Sequence, residues 1–248
     1  MTRTAPASDE GAPRQRLLIP AYFYPAGSEW QEMCDALEDA RTEAVIVMNP
    51  GDGPGAAADW KYADAVAYCR ARGQTVIGYV DTGYGERALS LVTADIDRFF
   101  ELYPIDGIFV DQVSNDSRRK ITGYYRRLYR SIKERRPDAL VIGNPGVPAV
   151  TRWQVRSTPI ADVLVVFEGT AHQYVNWRPP RWVTARNAGA FAHLVYGSEG
   201  AATTASICAA AGEKHAGWIY VTRGDGPNPW GLPPEAALID SPGLARRS

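Results

Sequence analysis

Two acidic residues close apolar runs in this chain. In GIFVDQ, Gly107 to Gln112, the residues Ile108, Phe109 and Val110 lead from a glycine to Asp111, and in DVLVVFEG, Asp162 to Gly169, a second run ends in Glu168. Uninterrupted apolar runs of this length suit strands buried on both faces, where a carboxylate at the carboxyl end has no packing role. Two strands that bring such acids to one rim supply what glycosidic cleavage needs. One carboxyl group, protonated, serves the departing oxygen, and the other, ionised, faces an oxocarbenium-like carbon. A salt-bridged pair or a metal site are the structural alternatives.

The elements that must position these acids alternate from about Leu17 to about Arg223. Strand-like runs begin at Leu17 (LLIPAYF), Ala44 (AVIVMN), Thr75 (TVIGYVD), Gly107, Leu140 (LVIGNPG), Asp162, Ala190 (AFAHLVYG) and Gly217 (GWIYVTR). Between them, 29–41 places Trp30, Met33, Cys34, Leu37 and Ala40 at helical spacing, and 59–72 does the same with Trp60, Ala63, Val66, Ala67 and Arg70. The spacing also predicts helices over 89–102, 117–136 and 203–214, with weaker segments, short helices or loops, at 151–159 and 171–182. Eight strands alternating with helices predict an α/β chain, a single (β/α)8 barrel of the TIM type, as one catalytic domain over 17–235. Residues 1–16 and 236–248 read as flexible terminal segments. An open doubly wound sheet is the alternative, but it would show a glycine-rich phosphate turn after its first strand, where this chain has YFYPAG.

In such a barrel the carboxyl ends of the strands form the active face. Those ends carry Tyr22 and Tyr24, Asn49, Tyr79 and Asp81, Asp111 and Gln112, Asn144, Glu168, Tyr196, and Tyr220 with Thr222. Flat aromatic faces with amides and carboxylates suit a sugar, whereas the lack of a basic cluster or glycine nest suits a phosphate poorly. Asp111 and Glu168 are the catalytic candidates. Tyr22, Tyr24, Asn49, Asp81, Gln112, Asn144, Tyr196, Tyr220 and Trp230 are the candidates for substrate binding. Asp81, before Thr82 and Gly83, could instead cap a turn, and Asn49 and Asn144, each before a proline, could anchor loops. His193 reads as an interior histidine. Trp30 and Trp60 read as core, while Trp177, Trp182 and Trp230, set among prolines and glycines, read as stacking residues.

Composition narrows the partners. At 248 residues with 45% hydrophobic content the chain can bury a full core, and its formal charge of -1 gives no general attraction to nucleic acid or to an anionic membrane. The basic residues Arg126, Arg127, Arg130, Lys133, Arg135 and Arg136 read as one solvated helix face. No apolar stretch approaches the roughly 18 residues of a membrane span, and the first sixteen residues do not resemble a secretion signal, so the compartment is left open and reads as cytoplasmic for the sequence as given. A monomer is expected. Cys34, Cys69 and Cys208 lack the close spacing of a zinc site and read as buried free thiols. No cofactor or metal is expected.

The motifs LLIPAYFYP, NPGDGPG, GYVDTGYG, GIFVDQVSN, VIGNPG and VVFEG occur in fixed order. With them the chain, from about Leu17 to Leu232, resembles the spherulin-4-like family of (β/α) barrel glycoside hydrolases related to endo-acting α-1,4-galactosaminidases. The resemblance implies hydrolysis of α-1,4-linked N-acetylgalactosamine or galactosamine within an exopolysaccharide, with Asp111 as nucleophile and Glu168 as acid/base. Some relatives carry an Asp-Glu pair where this chain has Asp111 and Gln112. A glutamine cannot titrate, which leaves a sugar-binding protein with an impaired site as the alternative. Members usually act outside the cell, which contrasts with the absence of a signal.

Overall fold

The computed structural model describes residues 14–116, 118–148 and 159–247. Eight parallel strands, β1 (Arg16–Ala21), β2 (Ala44–Met48), β3 (Thr75–Asp81), β4 (Gly107–Asp111), β5 (Leu140–Gly143), β6 (Val163–Thr170), β7 (Phe191–Tyr196) and β8 (Trp218–Val221), pair in chain order, and β8 closes on β1. The helices are α1 (Glu29–Asp39), α2 (Trp60–Ala71), α3 (Leu89–Leu102), α4 (Arg119–Arg135), α5 (Ala171–Asn176), α6 (Arg181–Thr184), α7 (Ala201–Glu213) and α8 (Ala236–Ile239). This is the (β/α)8 barrel that the alternation predicts. Most of expected segment 1–16, and all of 151–158, lie outside the described residues.

Strand residues alternate between barrel interior and helix layer, and both sides are apolar, so the strands read as nearly continuous hydrophobic runs. Pro20, Val47, Ile77 and Gly107 form one chain of neighbours in register, and Tyr79, Phe109 and Ile142 form the next. Above these inward positions the same parity delivers Asp111 and Asn144 to the mouth. Helix α1 buries Trp30, Met33, Cys34 and Leu37, the stripe its spacing predicts, and α3 buries Val92, Ile96 and Phe99. Phe99 seats against β3 at Gly78, where a Cβ would stand 2.7 Å from its ring, so any larger residue there would drive α3 off the sheet. The basic face of α4 is mostly solvated, with Lys133 bridging to Asp162 at 2.8 Å and Arg135 pairing with Asp97.

Three expectations are corrected. Cys34 on α1 and Cys69 on α2 are joined as a disulfide, and Cys208 alone is a buried free thiol. Spacing could not reveal the pair, because the two cysteines meet only when adjacent helices dock. Trp60 opens α2 at the active face with 69% of its surface exposed, because the stripe that α2 buries is Tyr62, Ala65, Val66 and Cys69. The C-terminal segment is part of the fold. Leu238, Ile239 and Leu244 are buried, α8 packs on α1 and α7, and Gln15 and Leu244 form an isolated bridge. Arg246 donates to the carbonyls of Ala40 and Ile239. Prolines, glycine and charge in 233–247 hide these few apolar anchors from any periodicity.

Candidate functional site

Asp111, Asn144 and Glu168 converge at the mouth from three consecutive strands. Asn144 is buried, and its Nδ2 donates to Asp111 Oδ1 at 2.8 Å and to Glu168 Oε2 at 2.7 Å. Its Oδ1 accepts the Gly146 N–H at 2.8 Å, which fixes the amide's orientation. Bonds of 2.8 and 2.7 Å from one nitrogen draw one oxygen of each carboxyl group to the same amide, so the two acids stand side by side at the mouth. Tyr79 Oη donates to the other oxygen of Asp111 at 2.8 Å. Gly146, at a φ of +66°, turns the chain beside Glu168 and accepts the Glu168 N–H through its carbonyl.

Glu168 reaches the mouth through an irregularity in β6. Val163 pairs with Ile142, two residues before the inward Asn144, so Val163 also faces inward. Strict alternation would then send Glu168, five positions on, out to the helices. The register of β6 on β7 slips between Val165 and Phe167, leaving Val166 as an extra residue. Phe167 therefore faces outward, where its ring meets Tyr174 and Trp177, and Glu168 turns inward.

Burial raises the pKa of both acids, and the hydrogen bonds each accepts work against that rise. The Asp111 anion accepts from Tyr79, from the Gln112 backbone N–H and from Asn144, while Glu168 accepts from Asn144 and Trp230 and is pushed further up by the charge of Asp111. Three donors to Asp111 against two to Glu168 favour the Asp111 anion, while the charge of Asp81 opposes it.

The pair opens into a cleft of about 670 Å³ lined by Tyr22, Asn49, Tyr79, Tyr196, Trp230 and the segment 225–229, among others. Of the described residues lining it, Asp52, Asp111, Glu168 and Asp225 are acids and none is a base. Trp230 lies across Tyr196, ring centroids 5.8 Å apart, and its carbonyl accepts the Tyr22 N–H, which ties the β8 loop to the end of β1. No group of three or more His, Cys, Asp or Glu side chains is placed to hold a metal among the described residues.

The remaining candidates lie elsewhere. Asp81 accepts the Gly83 N–H and pairs with Arg87 at 2.9 Å, which also holds Asp95, so it caps a turn and does not line the cleft. Tyr24 donates to Asp59 on the outer rim. Tyr220 is fully buried, donates to the Leu232 carbonyl and supports Trp230 from below. Gln112, at a φ of +49°, turns the chain after β4 and contributes its carbonyl to Thr82 and Tyr84, without lining the cleft. His193 is buried with its Nδ1 2.7 Å from Tyr174 Oη. Trp182 packs on Phe191. Sequence reasoning placed Tyr79 at the rim without giving it a role, and passed over Asp52 and Asp225, although both stand in the glycine-rich runs NPGDGPG and GDGPNP.

Several solved structures share this architecture. A mannohexaose complex of a β-mannanase from Thermomonospora fusca aligns with a TM-score of 0.56 at 10% identity, covering 93% of this chain and 89% of that one. Active domain 2 of a thermostable chitinase from Pyrococcus furiosus aligns with a TM-score of 0.55 at 12% identity, covering 92% and 94%. At such identities the likeness shows the barrel alone. Spherulin-4 from Physarum polycephalum is 32% identical over 168 residues, 65% of this chain and 48% of that protein, so the chain spans about half of its relative's length. The profile of Spherulation-specific family 4 matches residues 16–234, nearly the whole barrel, and the chain belongs to that family.

Proposed function

We propose that this protein is a glycoside hydrolase acting within α-1,4-linked N-acetylgalactosamine or galactosamine polysaccharide, with Asp111 as nucleophile and Glu168 as acid/base. The observation that carries the reading is the Asn144 bridge. One buried amide donates to both carboxyl groups beneath an open cleft with aromatic walls, and such close pairing supports a retaining mechanism. Glu168 protonates the departing oxygen while ionised Asp111 attacks the anomeric carbon. Glu168, now a carboxylate, then takes a proton from the water that releases the sugar. Tyr22, Asn49, Tyr196 and Trp230 supply ring faces and an amide to the bound sugar. Because the Gln112 side chain lies outside the cleft lining, its lack of charge leaves this machinery intact. The disulfide between α1 and α2 fits an oxidising compartment, where an exopolysaccharide would be met.

Release of reducing ends from purified α-1,4-linked N-acetylgalactosamine and galactosamine polymers tests the reading. Wild type is expected to release them, and Asp111→Asn and Glu168→Gln are expected to bind but not cleave. Binding without cleavage by the wild type would instead make this a carbohydrate-binding protein on the same barrel.

A further inference from the structure

Glu168 forms a wall between two hollows. On one side lies the cleft it shares with Asp111; on the other lies a separate hollow of about 420 Å³, lined by Gly146, Val147, Pro148, Gln173, Asn176 and Trp177 among others, which Asp111 does not reach. This second hollow sits between the loop after β5 and helix α5. We propose that it is a second sugar subsite, on the leaving-group side of the scissile bond, that takes an uncharged pyranose unit of the polymer. The inference rests on the hydrolase reading above and extends it to how the chain of sugars is held.

Three features carry it. First, an acid that protonates the glycosidic oxygen must stand beside the sugar that departs, and this hollow is the space that adjoins Glu168 away from the nucleophile. Second, its lining pairs apolar surface with amides. Trp177 is half-buried and held in place by stacking on Tyr174, with centroids 6.2 Å apart and planes 11° from parallel, while Val147 is exposed beside it. Gln173 has its Oε1 engaged by the Thr170 N–H at 2.9 Å, so the Nε2 hydrogens are the group it turns to a ligand, and Asn176 adds a second amide. That combination reads hydroxyl or acetamido groups against a flat apolar face. Third, among the described residues of the lining Glu168 is the only charged one, in contrast with the four acids among the described residues of the main cleft, which suits a sugar unit without an ammonium group.

The test uses full-length Glu168→Gln protein, so that ligands survive, titrated calorimetrically with α-1,4-linked N-acetylgalactosamine oligomers of increasing length. Added to it are Val147→Trp, which fills the hollow from an exposed position, or Asn176→Ala, which removes one amide from an exposed one. Affinity is expected to rise with length in the parent, and the longer oligomers are expected to lose about tenfold or more with Val147→Trp while the shortest are unaffected. Asn176→Ala is expected to weaken the longer oligomers by a smaller factor. An unchanged length dependence in both variants would overturn the subsite while leaving the hydrolase reading intact. No binding of any oligomer by the parent would overturn the subsite together with that reading.

Discussion

Replacing Tyr79 with phenylalanine isolates the electrostatic part of the site. The ring remains against Phe109, with centroids 6.3 Å apart, and edge-on to Tyr22, so packing is conserved and only the hydroxyl 2.8 Å from Asp111 is lost. A hydrogen bond to a charged acceptor contributes about 1.5–3 kcal/mol, and one to a neutral acceptor about 0.5–1.5 kcal/mol. Asp111 is buried and its pKa already raised, so the native state keeps its proton through a pH window in which the unfolded chain has released it. Stability attached to this group is therefore greatest in acid and declines as pH rises through that window. Tyr79→Phe raises the native pKa further and widens the window. The variant should cost about 1.5–3 kcal/mol at neutral pH and only about 0.5–1.5 kcal/mol below about pH 3.9, where Asp111 is protonated in both states. Urea melts of both proteins at the two pH values measure this directly, and on a cleaved polymer the acid limb of kcat/KM should move to higher pH. An equal cost at both pH values would show that Tyr79 does not stabilise the Asp111 anion and would remove the argument that Asp111 is the ionised partner.

Three further outcomes follow from the fold. Replacing Cys34 and Cys69 together with serine should lower stability by about 3–4 kcal/mol, since the bond closes a loop between residues 35 apart, and reduction by dithiothreitol should match it in a denaturant melt. Trp30→Ala should cost about 3–5 kcal/mol as a cavity in the core, whereas Trp60→Ala should stay within about 0.5 kcal/mol, a contrast that thermal unfolding of the two variants would read. His193 has its pKa lowered to about 3 by burial, so the native state refuses a proton that the unfolded chain accepts below about pH 6.5; stability should fall by about 1.36 kcal/mol per pH unit from about 6.5 down to about 3, and His193→Asn should remove that component of the slope.

The barrel was legible because each strand is buried on both faces and announces itself as an apolar run, and because Asp111 and Glu168 break that pattern where a rim must lie. Asn144 could be named for the same reason, as a polar residue ending an apolar strand, but not its bond to both acids, which needs β4, β5 and β6 side by side. Asp81 and Tyr220 share that signature, yet one serves a turn through Arg87 and the other a buried support for Trp230. Residue type at a strand end marks the rim without telling which neighbour arrives from another strand. Asp52 and Asp225 escaped because they sit in glycine- and proline-rich loops, whose paths no periodicity predicts.

The deepest gap between pattern and structure lies in β6. Read by alternation from Val163, the strand would present Phe167 to the barrel interior and Glu168 to the helix layer, leaving one carboxylate at the mouth and no pair. The extra residue at Val166 exchanges those two orientations, which places an aromatic ring among Tyr174, Trp177 and His193 and an acid beside Asn144. A buried carboxylate facing outward would meet the rings of Tyr174, Trp177 and His193, where the Tyr174 hydroxyl and His193 Nδ1 are already engaged with each other at 2.7 Å, and would be costly to ionise. Facing inward it gains the Asn144 and Trp230 donors and the open cleft. Bonding at the mouth and ring packing beneath α5 thus favour the same irregular register, and Val166, Phe167 and Glu168 all line the second hollow. The chemistry of this site depends as much on where one strand breaks its alternation as on the two acids themselves.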